Sequence, residues 1–368
     1  MPLSLLLSGV PGSPYTRKMV ALLRYRHIPY RLLQTAGTPA GMPAPKVPLL
    51  PTFYLPREQS PQALSSDPVA GDAETVDALE AVTDSTPLLR RFEREFEGRQ
   101  AVPSDPALAL VDALIEDYAD EWLSKAMFHY RWSHPNDFAK AEKILPCWSG
   151  EPLDDVRLDE YGRWISSRQH ARLRYVGSNP TTASVIESSY ERFLDAFEAH
   201  LRHYPFLLGK RPGASDFAVY GQLTQLTQFD PTPMAITIQR APRVYAWVTL
   251  MEDHCGLEPL ESDWFSSVEL SHGEIPSLRG ILREVGRVYP PFLIANAAAL
   301  QAGAKQVETE IDDKPWIQQA FPYHAKCLLW LRRDYNALNP EDRLRVDQIL
   351  TGTGCEAFFA DATHRDLH

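Results

Sequence analysis

The segment Gly9-Val10-Pro11-Gly12-Ser13-Pro14-Tyr15-Thr16-Arg17-Lys18 joins a glycine- and proline-rich turn to three hydroxyls at the start of a helical period. The first amides of a helix have no intrahelical partners, and together with the helix dipole they favour an anion. A thiol of pKa about 8.5 is mostly protonated at neutral pH. Lowering that pKa by about two units takes roughly 2.7 kcal/mol of preference for the thiolate. One hydrogen bond to a charged acceptor, worth about 1.5–3 kcal/mol, supplies this when the dipole assists. Ser13 is the first choice for such a donor, with Tyr15 and Thr16 as alternatives; capping of the helix by Ser13 or Thr16 is the competing role. Farther on, Asp84-Ser85 offers a carboxylate that suits an ammonium group, next to a helix start and a hydroxyl that suit a carboxylate.

The elements that must carry these residues alternate over roughly the first hundred positions. An apolar run at 3–7 reads as a strand, 15–25 as a helix with Met19, Leu22 and Leu23 on one face, and 28–33 as a second strand. The Pro/Gly/Ala-rich stretch 35–45 reads as loop. Residues 52–55 and 80–83 read as strands, followed by a helix over 85–96. Between them, 56–79 reads as an acidic surface insertion. Beyond Pro103 helical periods take over. Ser104-Asp105-Pro106 opens a helix that can run to Trp132, and further helices are expected at 160–176, 182–202, 214–228 and 244–254. The last hundred residues also read as helical, with Asn339-Pro340-Glu341-Asp342 as a start and Gly352 as a stop.

Composition bounds what such a chain does. Hydrophobic residues make up 44% and charged residues 23%, the balance of a soluble globular protein, and 368 residues suffice for two or three units. A net charge of −11 disfavours phosphate backbones, so no nucleic-acid partner is expected. No run of about eighteen apolar residues occurs, so no membrane span is expected. Cys147, Cys255, Cys327 and Cys355 have neither zinc-site spacing nor the density of a disulfide scaffold, which points to a reducing, cytoplasmic setting and to no metal.

With these residues in view, the chain resembles the glutathione transferase superfamily. Ser13-Pro14-Tyr15-Thr16 occupies the place of the Cys-Pro-Tyr-Cys site of glutaredoxins, and serine in the first position is similar to the serine-using transferase classes. No cysteine precedes Cys147, so mixed-disulfide chemistry is not expected at this site. Lys46-Val47-Pro48-Leu49-Leu50-Pro51-Thr52-Phe53 resembles the family's cis-proline segment. Pro51, directly before a strand, is favoured as the cis residue, with Pro48 as the alternative. Asp84-Ser85 looks like the family's acidic-Ser pair for the γ-glutamyl group, and Lys46 is placed to meet the glycyl carboxylate. The stretch Phe206 to Ala218 resembles the segment before the buried helix of the helical domain, with Asp216 in a folding role and Gly213 where the family usually has Ser or Thr.

The resemblance implies an α/β thioredoxin-like domain (1–98, with the insertion 56–79), an all-α glutathione-transferase C-terminal domain (104–262) and an additional helical extension (263–368). It implies glutathione as co-substrate, a small hydrophobic electrophile as second substrate and a homodimer. Phe128, His129 and Trp132, within an aromatic cluster, are the candidates for the second-substrate pocket, with core packing as their competing role. The leading function is a transferase in which Ser13 or Tyr15 stabilises the thiolate. A non-catalytic binding or scaffold protein and a glutathione-dependent lyase or isomerase are the alternatives. The loop 35–45 stands where the family has its second helix, so the contacts to the glycyl end must differ.

Overall fold

The computed structural model describes residues 4–57, 78–150 and 152–360. Strand β1 (Leu5–Gly9) is entirely buried, as an apolar run at the centre of a sheet should be. It pairs in parallel with β2 (Tyr30–Gln34) and antiparallel with β3 (Thr52–Pro56), and β3 pairs antiparallel with β4 (Leu79–Val82), giving the order β2-β1-β3-β4. Helix α1 (Pro14–Tyr25) connects β1 to β2, and α2 (Ser85–Glu95) follows β4. Leu88, Leu89 and Phe92 of α2 are buried with Phe53 and Met19 in the main core. This is the thioredoxin-like arrangement without its second helix. On the opposite face of the sheet Leu6, Tyr54 and Leu79 are covered in part by Met42 from the loop that stands in that helix's place. Most of the expected insertion, 58–77, lies outside the described residues.

The expected long helix from 104 is present but divided. Helix α3 (Pro106–Tyr118) is capped by the Asp105 side chain at 3.0 Å, widens into a π turn at Ala119–Leu123, and continues as α4 (Ser124–Ser133) until Pro135 ends it. Then follow α5 (Pro135–Ile144), α6 (Asp155–His170), α7 (Leu173–Val176), α8 (Ala183–His200), α9 (Ala214–Gln228), α10 (Pro231–Arg240) and α11 (Pro242–Met251). Helix α9 is buried along its whole length except its last residue. Asp216 fixes its start: its two carboxylate oxygens accept from the amides of Leu207 at 3.0 Å and Gly213 at 2.9 Å. Gly221 lets α1 lie directly against α9, since a Cβ there would stand 2.6 Å from the Pro14 carbonyl oxygen.

The extension is mainly helical: α12 (Ser267–Ser271), α13 (Pro276–Gln301), α14 (Pro322–Ala337) and α15 (Pro340–Leu350). It also holds a feature that the helical reading leaves out, a hairpin of β5 (Gln306–Ile311) and β6 (Lys314–Gln319) joined at Asp312-Asp313. Both turn residues have positive φ, 55° and 57°, the geometry that a tight two-residue hairpin requires. Trp316 of β6 is fully buried against Trp122 and Phe292, so the hairpin is part of the same core as the helices.

Candidate functional site

Strand register brings three sequence-predicted segments to one end of the sheet. Ser8 is opposite Thr52, and Phe53 is opposite Val82. The turn after β1, the Leu50-Pro51 segment before β3 and the Asp84-Ser85 segment after β4 therefore share that end. The Leu50–Pro51 bond is cis, as the sequence favoured over Pro48, and Pro51 is buried. Lys46, Val47 and Pro48 all lie exposed on the approach to it.

The three hydroxyls at the start of α1 have separate surroundings. Ser13 Oγ accepts from the Thr16 amide at 3.2 Å, making the helix cap, and donates to the Leu50 carbonyl at 3.3 Å. That long second bond ties α1 to the cis-proline segment and holds the hydroxyl proton only weakly. Thr16 is buried with its side chain against Gly9. Tyr15 donates to the Asp120 carbonyl at 2.8 Å, across the contact between α1 and the π turn. Burial first, then the nearby Glu121 and Asp120, raise its pKa well above the usual tyrosine value. Tyr15 is thus held by the helical domain, and Ser13, partly buried like Tyr15, is the hydroxyl that meets the cis-proline segment at the sheet end.

At the other flank, Asp84 has φ 85°, a backbone setting that an aspartate adopts only where the surroundings enforce it, and Ser85 begins α2. Burial raises the Asp84 pKa, opposed by a hydrogen bond that Tyr323 of α14 donates at 2.8 Å and by the charge of Lys18. The extension therefore reaches the residue that the sequence assigned to an ammonium group, a contact 239 positions apart in the chain. Beneath it lies a buried ionic cluster. Lys18 donates to Glu116 at 2.8 Å and to Asp120 at 2.6 Å, and Arg90 donates to Glu116 at 2.6 Å. Burial alone would lower the Lys18 pKa, but Asp120 and Glu116 raise it; Arg90 and Lys18 hold Glu116 below the usual carboxylate range against burial. The sequence reading missed this cluster, in which Lys18 meets carboxylates about a hundred positions away in the chain.

The flank next to Gly12 is apolar. A Cβ on Gly12 would meet Leu145 at 2.7 Å and Trp148 at 3.2 Å, so these side chains lie directly over the turn. They belong to a small cluster with Phe128, Trp132, Phe138 and Phe229. Arg131, paired with Asp230 at 2.9 Å, also reaches the Gly12 carbonyl at 3.4 Å. Phe128 and Trp132 are thus brought into the packing that covers the site. His129 is not: it faces Ser178 at 2.8 Å and Glu187 at 3.0 Å. An open cavity of about 560 Å³ lies beside this flank, lined by Thr35, Ala36 and Gly37 of the loop after β2 and by Leu153, Arg157 and Tyr161 around α6.

Comparison with known proteins places this architecture. Residues 156–249 match the family model described as glutathione S-transferase, C-terminal domain. The matched segment lies within the helical part of the chain, and a thioredoxin-like sheet precedes it. Similar solved structures include a glutathione transferase family member from Pseudomonas fluorescens Pf-5 with two glutathione bound: 15% identity, 68% of this chain and 88% of that one covered, TM-score 0.37. They also include a glutathione transferase from Burkholderia graminis with two glutathione molecules per subunit: 17% identity, 68% and 88% covered, TM-score 0.39. A glutathione S-transferase from Methylobacterium radiotolerans in complex with glutathione sulfonate has 14% identity, 68% and 91% covered, and TM-score 0.38. No curated protein matches the sequence significantly. Among the described residues no helix is long and apolar enough to cross a membrane.

Proposed function

We propose that the sheet end formed by Ser13, Pro51, Asp84 and Ser85 binds glutathione and stabilises its thiolate for attack on a small apolar electrophile. The observation that carries this reading is the register that sets Ser13, the Leu50-Pro51 segment and Asp84-Ser85 side by side. The γ-glutamyl ammonium pairs with Asp84, and its carboxylate meets Ser85 and the first amides of α2. Ser13 turns its weakly held proton from the Leu50 carbonyl to the sulfur. The glycyl carboxylate lies toward Lys46 and the open cavity, with the backbone of Val47 and Pro48 on the same approach. Phe128 and Trp132 support the apolar cover through which the electrophile contacts Leu145 and Trp148. Glutathione makes the new bond, and the chain contributes orientation and electrostatic stabilisation.

A non-catalytic scaffold protein of this fold is the second reading, and Tyr323 favours it by occupying Asp84. Calorimetric titration of the full chain with glutathione and with an S-alkyl glutathione separates the cases, together with the Asp84→Ala variant and a screen of electrophiles. Binding that weakens at least ~10-fold in the variant supports the tripeptide site, since a charge-assisted pair is worth about 1.5–3 kcal/mol. Binding without turnover of any electrophile favours the second reading. Absence of binding at millimolar glutathione would remove the first reading and leave the scaffold reading in its place. The homodimer that the family resemblance implies is tested by light scattering at micromolar concentrations.

A further inference from the structure

His129 on α4, His134 immediately after it and Glu187 on α8 converge away from the segments that form the proposed glutathione site. Nε2 of His129 lies 3.0 Å from Glu187 Oε1, and Nε2 of His134 lies 3.3 Å from the same oxygen. One donor atom from each of the three residues lies within 4.8 Å of the other two. A zinc-like ion with ligand bonds of about 2.0–2.2 Å in a tetrahedral arrangement separates its donors by roughly 3.4 Å. The three atoms therefore need only small side-chain adjustments to share one ion.

We propose that His129, His134 and Glu187 bind a divalent transition metal of the zinc class, with solvent completing the coordination. Three features of the surroundings suit such an ion. First, His129 Nδ1 lies 2.8 Å from Ser178 Oγ, which is 3.4 Å from Ser133 Oγ. In the tautomer that donates from Nδ1 to Ser178, Nε2 presents its lone pair toward a carboxylate oxygen, and two acceptors face each other unless a cation stands between them. Second, the His134 ring centre lies 5.4 Å from that of His129, and both rings bring Nε2 to the same Glu187 oxygen. Third, the rings are held in place. His134 stacks on Tyr130 at 5.1 Å, and His129 is 4% exposed. His134 and Glu187, with side chains 30% and 38% exposed, leave an entry path and room for water. Two imidazoles and a carboxylate suit borderline ions such as Zn²⁺ or Co²⁺ better than Ca²⁺ or Mg²⁺, which take oxygen ligands. The expectation of a metal-free chain rested on cysteine spacing, and this set uses no cysteine.

The test uses the full chain, stripped with a chelator and dialysed, titrated with ZnCl₂ by calorimetry and with CoCl₂ by visible absorption. One ion per chain is expected, with a Co²⁺ spectrum free of thiolate charge-transfer bands. Glu187→Gln and His134→Asn, both at partly exposed positions, should each weaken binding by more than ~10-fold, and Ser178→Ala by about 10-fold, the usual cost of losing a group that orients a ligand. Circular dichroism that matches the parent chain shows that each variant is folded, and added Zn²⁺ should raise the melting temperature of the parent but not of Glu187→Gln. The proposal is overturned if the parent binds no Zn²⁺ at millimolar concentration, if both ligand variants bind as tightly as the parent, or if Co²⁺ shows thiolate bands from exposed Cys147 or Cys255.

Discussion

The two flanks of the sheet end are built from opposite materials. At α2, Lys18 and Glu116 are each at most 1% exposed and are joined by Asp120 and Arg90 in one buried ionic cluster. At Gly12, Leu145, Trp148 and Phe229 make an apolar cover on which a charged pair, Arg131 with Asp230, is set, with Lys140 over the Phe229 ring. An ionic cluster fixes its elements at defined distances, but only while every partner is present, because a buried charge left alone is costly. An apolar cover tolerates change of shape at smaller cost. In the proposed reading the charged end of glutathione meets the first flank and the reacting end meets the second. The rigid flank would then set where the tripeptide lies, and the adaptable flank would set what it reacts with.

The sharpest way to break this contrast is Lys18→Met. It leaves Glu116 and Asp120 buried without their shared cation and should cost about 3–5 kcal/mol in urea unfolding. A loss below about 1 kcal/mol would mean that the cluster does not fix the flank. On the apolar side, Trp148→Ala removes a half-buried ring that packs on Phe229 at 5.3 Å. The expected loss is about 1–2 kcal/mol, less than a fully buried tryptophan would cost, and affinity for S-aryl glutathione should change more than affinity for glutathione. Tyr323→Phe removes the hydrogen bond that occupies Asp84 and should raise glutathione affinity by about 3- to 10-fold by calorimetry, the worth of one hydrogen bond. Unchanged affinity would show that Tyr323 and the ammonium group do not compete.

A separate test concerns pH. Burial pushes Asp117, which accepts from Tyr289 at 2.6 Å, up from 3.8 to about 8. The folded chain then holds a proton that the unfolded chain has released. This contribution is greatest below the unfolded value near 4 and is lost as pH rises toward 8. Asp117→Asn should therefore decline less steeply than the parent between pH 4 and 8 in denaturant titrations, by at most about 1.4 kcal/mol per pH unit. An identical slope would mean that Asp117 is ionised in the folded chain.

Local signals carried the legible part of the structure. Pro51 before a strand, Asp84-Ser85 before a helix, Asp105-Pro106 and Asn339-Pro340 as helix starts each act through their own backbone, so a single segment reveals them. The hairpin escaped because Asp312-Asp313 lacks the glycine that usually marks such a turn, although 306–311 alternates between exposed and buried. Lys18 closes the segment at the start of α1, and only the fold brings Glu116 and Asp120 to it. The same holds for Tyr323 on Asp84 and for Glu187 beside His129. Their partners are set by how α3, α8 and α14 pack, which no single segment encodes.

The central claim, that Ser13 stabilises the glutathione thiolate, is tested most directly by the ultraviolet difference absorbance of bound glutathione as a function of pH. The account predicts that the bound thiol titrates about one to two units below the free value of about 8.5 in the parent chain, and that most of this shift disappears in Ser13→Ala, which also loses about 1 kcal/mol of helix capping. A bound thiol that titrates like the free one in the parent, or an equal shift in Ser13→Ala, would contradict it.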